Sequence, residues 1–194
     1  MPPKIRITKE EIVQTALDLV RADGEGAINA RAIAAALQCS TQPIFSNFRT
    51  MEDLQEAVVA ASYEIYLAFL RREAEGGKYP QYKSFGMAYI RFAEEEKELF
   101  KLLFMRDRRG EHLVPTKDFD ASITLIMNAN GITREKAERM HLEMWTCVHG
   151  IGTMLATSFL SLDRELISEM LTDVYQGIRA RHLSEENEHV CNSN

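Results

Sequence analysis

The chain has 194 residues, 45% of them hydrophobic and 27% charged, with only 10 Gly and 5 Pro. That is enough apolar material for one medium domain or a small domain joined to a larger one, and it excludes a disordered or fibrous protein. A formal charge of −6 excludes a uniformly basic nucleic-acid coat or a cationic membrane binder, while leaving room for a locally basic face.

Periodicity is helical along nearly the whole chain, and no stretch alternates long enough for a sheet, so the expected class is all-α with about nine helices. Thr8-x-x-Glu11 forms a capping box that starts helix one, whose apolar face (Ile12, Ala16, Leu19, Val20) runs to Gly24. Asn29 caps a short second helix carrying Ile33, Ala34 and Leu37. Ser40 is the expected cap of a third with Ile44, Phe45 and Phe48, and Pro43 falls in its first turn, where a missing N–H costs nothing. A second box, Thr50-x-x-Asp53, opens a long connecting helix over 50–75. Gly76-Gly77-Lys78-Tyr79-Pro80 is the clearest break, and helices are expected after it over 82–95, 97–106, 116–129, 133–161 and 163–182. The polar residues 184–194 read as a disordered tail. The expected division is therefore a small helical domain over 1–49 and a larger helical domain over 50–183.

Cys39, Cys147 and Cys191 are odd in number, widely spaced and free of any C-x-x-C pair, and the opening residues do not read as a secretory leader. The expected location is cytoplasmic. Met144 to Leu162 lacks Asp, Glu, Lys and Arg but carries His149, Gly150 and Gly152, which reads as a buried helix and not a bilayer span. Residues 1–50 hold six Lys and Arg against five Asp and Glu, and the remainder holds 17 against 24. A near-neutral head on an acidic body lets the head approach a polyanion while the body is held away.

Three short helices in about 40 residues, the last two joined by Gln38-Cys39-Ser40, have helix-turn-helix spacing. Small Ala34, Ala35 and Ala36 permit a close crossing. Spacing alone leaves a generic three-helix core equally open. Residues Ile7 to Leu54, with Arg31-x-Ile33-Ala34, Ile44-Phe45-x-x-Phe48 and a capped helix at Thr50, resemble the DNA-binding domain of the TetR family of bacterial transcriptional regulators. Phe92-Ala93, Leu99-Phe100, Leu103-Phe104 and Trp145 followed by His149-Gly150 are similar to one subgroup of that family's C-terminal bodies, the type named for its Trp-His-Gly signature. The sequence departs from the family pattern at Gln38, where Gly is usual, and a left-handed backbone there costs roughly 1 kcal/mol. It departs again at Phe45 for Tyr, Asn47 for His and Met51 for Lys, which passes the last residue's phosphate contact to Arg49.

The resemblance implies a double-stranded, palindromic DNA operator bound by a homodimer whose recognition helices reach successive major grooves. Arg31, Asn47 and Arg49, with Lys4 or Arg6 of the N-terminal arm, are the expected phosphate contacts. Thr41, Gln42, Pro43 and Ser46 are expected to face the bases, Gln42 pairing with adenine and Pro43 or Phe45 meeting a thymine methyl. The dimer interface falls on Ile151, Leu155, Ile167, Met170, Leu171, Val174 and Ile178. An unidentified small-molecule effector is expected among Tyr66, Met87, Phe104, Met127, Met144, Trp145 and His149, with His149 as its polar handle. The expected outcome is a repressor released from its operator when that effector binds.

Glu138-x-x-His141 has the spacing of half a di-metal site, but no second half accompanies it, and Glu94-Glu95-Glu96 reads as a solvated face. No nucleotide loop, nucleophile elbow or zinc signature is present in the sequence, so no enzyme, metal or cofactor is expected. A helical adaptor that keeps the head only for packing is the non-DNA-binding alternative.

Overall fold

The structure, a computed structural model, describes residues 7–106 and 117–191. Among these residues it is all-α: α1 Lys9–Asp23, α2 Ala30–Ala36, α3 Gln42–Asn47, α4 Met51–Glu75, α5 Gln81–Glu95, α6 Lys97–Phe104, α7 Lys117–Asn130, α8 Arg134–Ala156 and α9 Arg164–Cys191, with a single 3-10 turn at Glu25–Ala27. Lys4, Arg6 and residues 107–116 lie outside the described residues. No described helix is long and apolar enough to cross a membrane.

Local chemistry sets most of the boundaries. Thr8 Oγ1 accepts from the Glu11 N–H at 3.1 Å, and Glu11 Oε2 accepts from the Thr8 N–H at 2.8 Å, closing the reciprocal box that starts α1. Asn29 Oδ1 accepts from Ala32 N–H at 2.9 Å, and Thr50 Oγ1 from Asp53 N–H at 3.1 Å, starting α2 and α4. Three expectations are corrected. Helix α3 begins at Gln42 with no side-chain cap, so Ser40 lies outside it, although Pro43 does occupy the first turn. Helix α8 stops at Ala156, five residues earlier than expected, because Ser158 takes a left-handed φ of 56° and turns the chain. Helix α9 continues to Cys191, through residues expected as a disordered tail, since nothing after Gly177 breaks it and Glu is a good helix former.

The chain divides into two compact units, Met1–Phe69 with Phe92–Asp107, and Leu70–Arg91 with Arg108–Asn194. The first unit thus reaches past residue 49 to take in most of α4 and all of α6. Its fully buried residues include Ile12, Val20, Ile33, Ile44, Leu54, Phe92, Leu99 and Phe100. Glu96 is no part of a solvated face: Arg21 Nε and Nη2 donate to its two carboxylate oxygens, each at 2.8 Å, and its side chain is only 18% exposed. That planar, two-bonded pairing ties α1 to the start of α6 and raises the Arg21 pKa, chiefly through the hydrogen bond to Glu96.

The second unit has its own core of Ile123, Ile126, Ile132, Ala137 and Met140, flanked by Tyr82, Phe119, Met127, Tyr175, Ile178 and Leu183. Helix α5 lies close against α8 and α9 at Gly86, where an added Cβ would sit 3.3 Å from Val148 Cγ2 and 3.5 Å from Leu171 Cδ1.

Candidate nucleic-acid interface

Helix α2, the turn over 37–41 and helix α3 form a closed helix-turn-helix. Gln38 has φ 53°, the left-handed conformation that the family's usual glycine would take without strain. Its N–H donates to the Ala35 carbonyl at 3.1 Å, and the Cys39 N–H donates to the Ala34 carbonyl at 2.9 Å. This pair of bonds is the Schellman closure of a helix end, so the turn keeps its geometry despite the missing glycine.

Helix α3 separates its residues by face. Ile44 is fully buried and Phe48, just beyond the helix, is 3% exposed, both packed into the first unit. Gln42 and Ser46 are exposed, Thr41 and Pro43 half-buried, and Phe45 is held 50% exposed. Thr41, Gln42, Phe45 and Ser46 share one outward face by helical spacing. Arg31 is exposed on α2. Arg49 is 89% exposed at the side chain, its Nε 3.2 Å from Asp53 Oδ2, an i,i+4 pair that solvent screens and a phosphate can outcompete.

Asn47 departs from its expected role. Its amide nitrogen donates to the Pro43 carbonyl at 2.8 Å and to the Ile7 carbonyl at 3.4 Å, so both protons are spent on the head's own backbone. It fastens α3 to the chain entering α1. A cation the sequence reading passed over is Lys9, whose Nζ lies 4.9 Å from the centroid of the Phe48 ring, at the far end of α3 from Gln42. Its only sequence signal is a lysine in the first turn of α1, a common surface position.

The expected effector residues fall into separate groups. Tyr66 and Phe104 belong to the first unit, in an aromatic cluster with Phe92, their centroids 5.3 to 6.4 Å apart. Met87, Met127, Met144, Trp145 and His149 belong to the second unit, where Met87 and Met144 are each 5% exposed. Trp145 stacks on His149 with centroids 5.1 Å apart and planes 12° from parallel. His149 Nδ1 lies 2.8 Å from the Tyr89 hydroxyl, and His141 Nδ1 lies 3.0 Å from the Tyr82 hydroxyl, two rungs between α8 and α5. Burial lowers both histidine pKa values and raises that of Tyr82. No group of three or more His, Cys, Asp or Glu among the described residues could hold a metal ion.

Of the expected interface residues, Ile151, Leu155, Ile167 and Leu171 are each 5% exposed or less within the chain itself, and Ile178 packs on the second unit's core. Met170 and Val174 are half-buried. Among the described residues, the large apolar side chains this unit leaves exposed are Leu142, Met154, Phe159, Leu160 and Leu166, Phe159 most of all at 76%.

A helix-turn-helix built on α1 to α3, continued by helices that bury aromatic and imidazole side chains, defines the class by its architecture. The chain matches no family model. It superposes on a TetR-like transcriptional regulator from Rhodococcus sp. RHA1 with a TM-score of 0.64 at 13% identity, covering 95% of this chain and 98% of that one. It superposes on apo ActR from Streptomyces coelicolor with a TM-score of 0.57 at 19% identity, covering 94% and 100%. An uncharacterized HTH-type transcriptional regulator of Mycobacterium tuberculosis is 20% identical over 182 residues, 91% of this chain and 84% of the relative. The fold is that of the TetR-like regulators, as the resemblance implied.

Proposed function

We propose that this protein is a sequence-specific DNA-binding transcriptional regulator that works in the cytoplasm as a homodimer. It represses from a palindromic operator and is released when a small molecule binds the C-terminal helical unit. The observation that carries the reading is the outward face of α3: Gln42, Phe45 and Ser46 stand exposed on a helix whose opposite side, Ile44, is fully buried. A thymine methyl in a major groove would cover the half-exposed Phe45 ring.

On this reading Gln42 reads adenine, Ser46 and Thr41 add adaptable hydrogen bonds, and Pro43 lies against the base edges. Arg31, Arg49 and Lys9 neutralise phosphates and set affinity, while Asn47 holds α3 in register and makes no phosphate contact. The apolar surface left by Met154, Phe159, Leu160 and Leu166 supports pairing of two chains through this end of the second unit, with Met170 and Val174 beside it. The effector acts by population shift, favouring the conformation in which the two heads no longer fit one duplex.

The test is binding of the purified chain to the DNA flanking its own coding region across a salt series, with Gln42→Ala and Arg49→Ala beside it. Saturable binding that exceeds binding to a scrambled duplex, falls as salt rises and drops in both variants supports the reading. Equal, weak binding to every duplex, in that DNA and in a genome-wide selection, moves the adaptor reading to the front.

A further inference from the structure

His141, Trp145, His149 and Thr153 are spaced four residues apart and so form one continuous row along α8. All four sit within the second unit. Three of them carry rings or polar groups engaged with aromatic neighbours: Trp145 stacks on His149, and the Phe119 ring meets His141 at 4.9 Å and Trp145 at 6.3 Å, both edge-on. Two atoms of the row, His141 Nε2 and Thr153 Oγ1, are buried without a hydrogen-bond partner.

The tautomer of His141 follows from its one polar contact. The Tyr82 hydroxyl lies 3.0 Å from His141 Nδ1, which is the acceptor available to it. A buried tyrosine keeps its proton and donates it there, so the neutral imidazole carries its own proton on Nε2. The orphan on His141 is therefore a donor. The nearest ring, Phe119, can offer it only a π face, a much weaker acceptor than oxygen. Leaving such a donor unpaired in a core is destabilising, and native proteins keep few of them. Trp145 supplies a broad flat surface one helical turn away, about 6 Å along the axis.

We propose that this row is the recognition wall for a flat aromatic molecule of two or three fused rings bearing a hydrogen-bond-accepting oxygen on its rim. The rings lie against Trp145 and Phe119, and the oxygen accepts from His141 Nε2. Thr153 offers a second polar contact to a ligand long enough to reach it. The proposal rests on the effector-binding role given above and names the chemistry of that effector. His141 is then the specificity residue and His149 a positioning residue that orients Trp145 by stacking.

The experiment compares 9-fluorenone with fluorene, which share a three-ring shape and differ by one carbonyl oxygen. Binding to the full chain is measured by calorimetry and by the fluorescence of Trp145, the one tryptophan in the sequence. The expected result is saturable binding of fluorenone about tenfold tighter than fluorene, the effect of one neutral hydrogen bond made to an otherwise unpaired donor. His141→Phe brings the ratio to about one, and His141→Gln, which keeps an N–H donor, restores part of it. A ratio near one in the wild type, no saturable binding of fluorenone, or an unchanged ratio in His141→Phe overturns the proposal. If circular dichroism shows that His141→Phe does not fold, the wild-type ratio and His141→Gln still decide. Operator binding is measured on the same samples: DNA bound with fluorenone refused overturns this proposal alone. Fluorenone bound with no DNA recognised overturns the regulator reading and leaves the aromatic site standing.

Discussion

The two units spend their polar side chains in opposite ways. In the first, the groups with chemistry point outward: Arg31, Gln42, Ser46 and Arg49 are exposed, on a frame closed by backbone hydrogen bonds and caps. In the second, they point inward: His141 and His149 bond to tyrosines of α5, and His182, 4% exposed, lies 3.4 Å from Glu143. A surface that must meet a polyanion needs solvated donors that exchange water for phosphate at low cost. A surface that must distinguish small molecules needs desolvated ones, where a single missing partner is felt. Substitutions in the first unit's outward set should therefore change binding and leave stability alone, and substitutions in the second unit's inward set should do the reverse in the absence of ligand.

The largest effect tests the frame beneath the outward set. Ile44→Ala empties a fully buried site under α3 and should cost about 2 to 5 kcal/mol of stability, the usual range for deleting a buried isoleucine to alanine. Urea denaturation measures it, and a loss under 1 kcal/mol would mean that α3 is not packed as described. Next come the outward residues themselves. Gln42→Ala should weaken operator binding by about 1 to 3 kcal/mol and relax base preference at one position, whereas Arg49→Ala should weaken every duplex alike and reduce the salt slope by about one. Both should melt within about 0.5 kcal/mol of wild type. A melting change as large as that of Ile44→Ala would erase the contrast between the units.

The inward set carries a pH signature. Burial lowers the pKa of His141 and of His149, so the unfolded chain binds more protons than the folded one between the ordinary histidine value and the lowered values. Stability from these neutral imidazoles is complete above about pH 6.5, the ordinary value, and is lost as pH falls through the folded-state values. The expected outcome is a urea midpoint that drops between pH 7.5 and pH 5. The drop should be smaller in a His141→Gln, His149→Gln double variant and the same as wild type in Gln42→Ala. Trp145, stacked on His149, should report the same transition by fluorescence. A midpoint flat across this range in the wild type would show that the two imidazoles are not desolvated.

Much of the first unit was legible because its signals are local. Thr8 with Glu11, Asn29 and Thr50 cap the helices they were expected to cap, since a hydroxyl or amide three residues before a free N–H acts within one turn. The left-handed turn at Gln38 was legible only through the family resemblance, whose usual glycine marks that position. What escaped was contact across distance in the chain. Arg21 meets Glu96 75 residues away, and Asn47 reaches Ile7 40 residues away, so a charge run looked solvated and an amide looked free. In the second unit an apolar stripe shows that a face is covered without showing by which chain, and Ile151, Leu155, Ile167 and Leu171 are covered within their own. His141 drew notice only as half a metal motif, because its Tyr82 and Phe119 neighbours come from other helices.

The smallest effect bears on a device that both units use. Helix α2 and helix α8 both end in a Schellman closure built on a non-glycine residue, Gln38 at φ 53° and Ser158 at φ 56°. In α8 the Ser158 N–H donates to the Leu155 carbonyl at 3.0 Å and the Phe159 N–H to the Met154 carbonyl at 2.9 Å, repeating the pattern at Ala35 and Ala34. Each side chain holds its backbone against a steric preference that glycine lacks. Gln38→Gly and Ser158→Gly should therefore each stabilise the protein by about 0.5 to 1 kcal/mol, less the entropy glycine adds to the unfolded chain. If only one does so, the two turns differ in strain, and the unit that gains nothing is the one whose turn is held by packing and not by its backbone alone. Gln38→Gly carries a second readout that Ser158→Gly lacks: the turn lies beside α3, so its relief should leave operator affinity unchanged if the Schellman bonds already fix that helix. A loss of affinity would mean that the glutamine side chain itself takes part in docking.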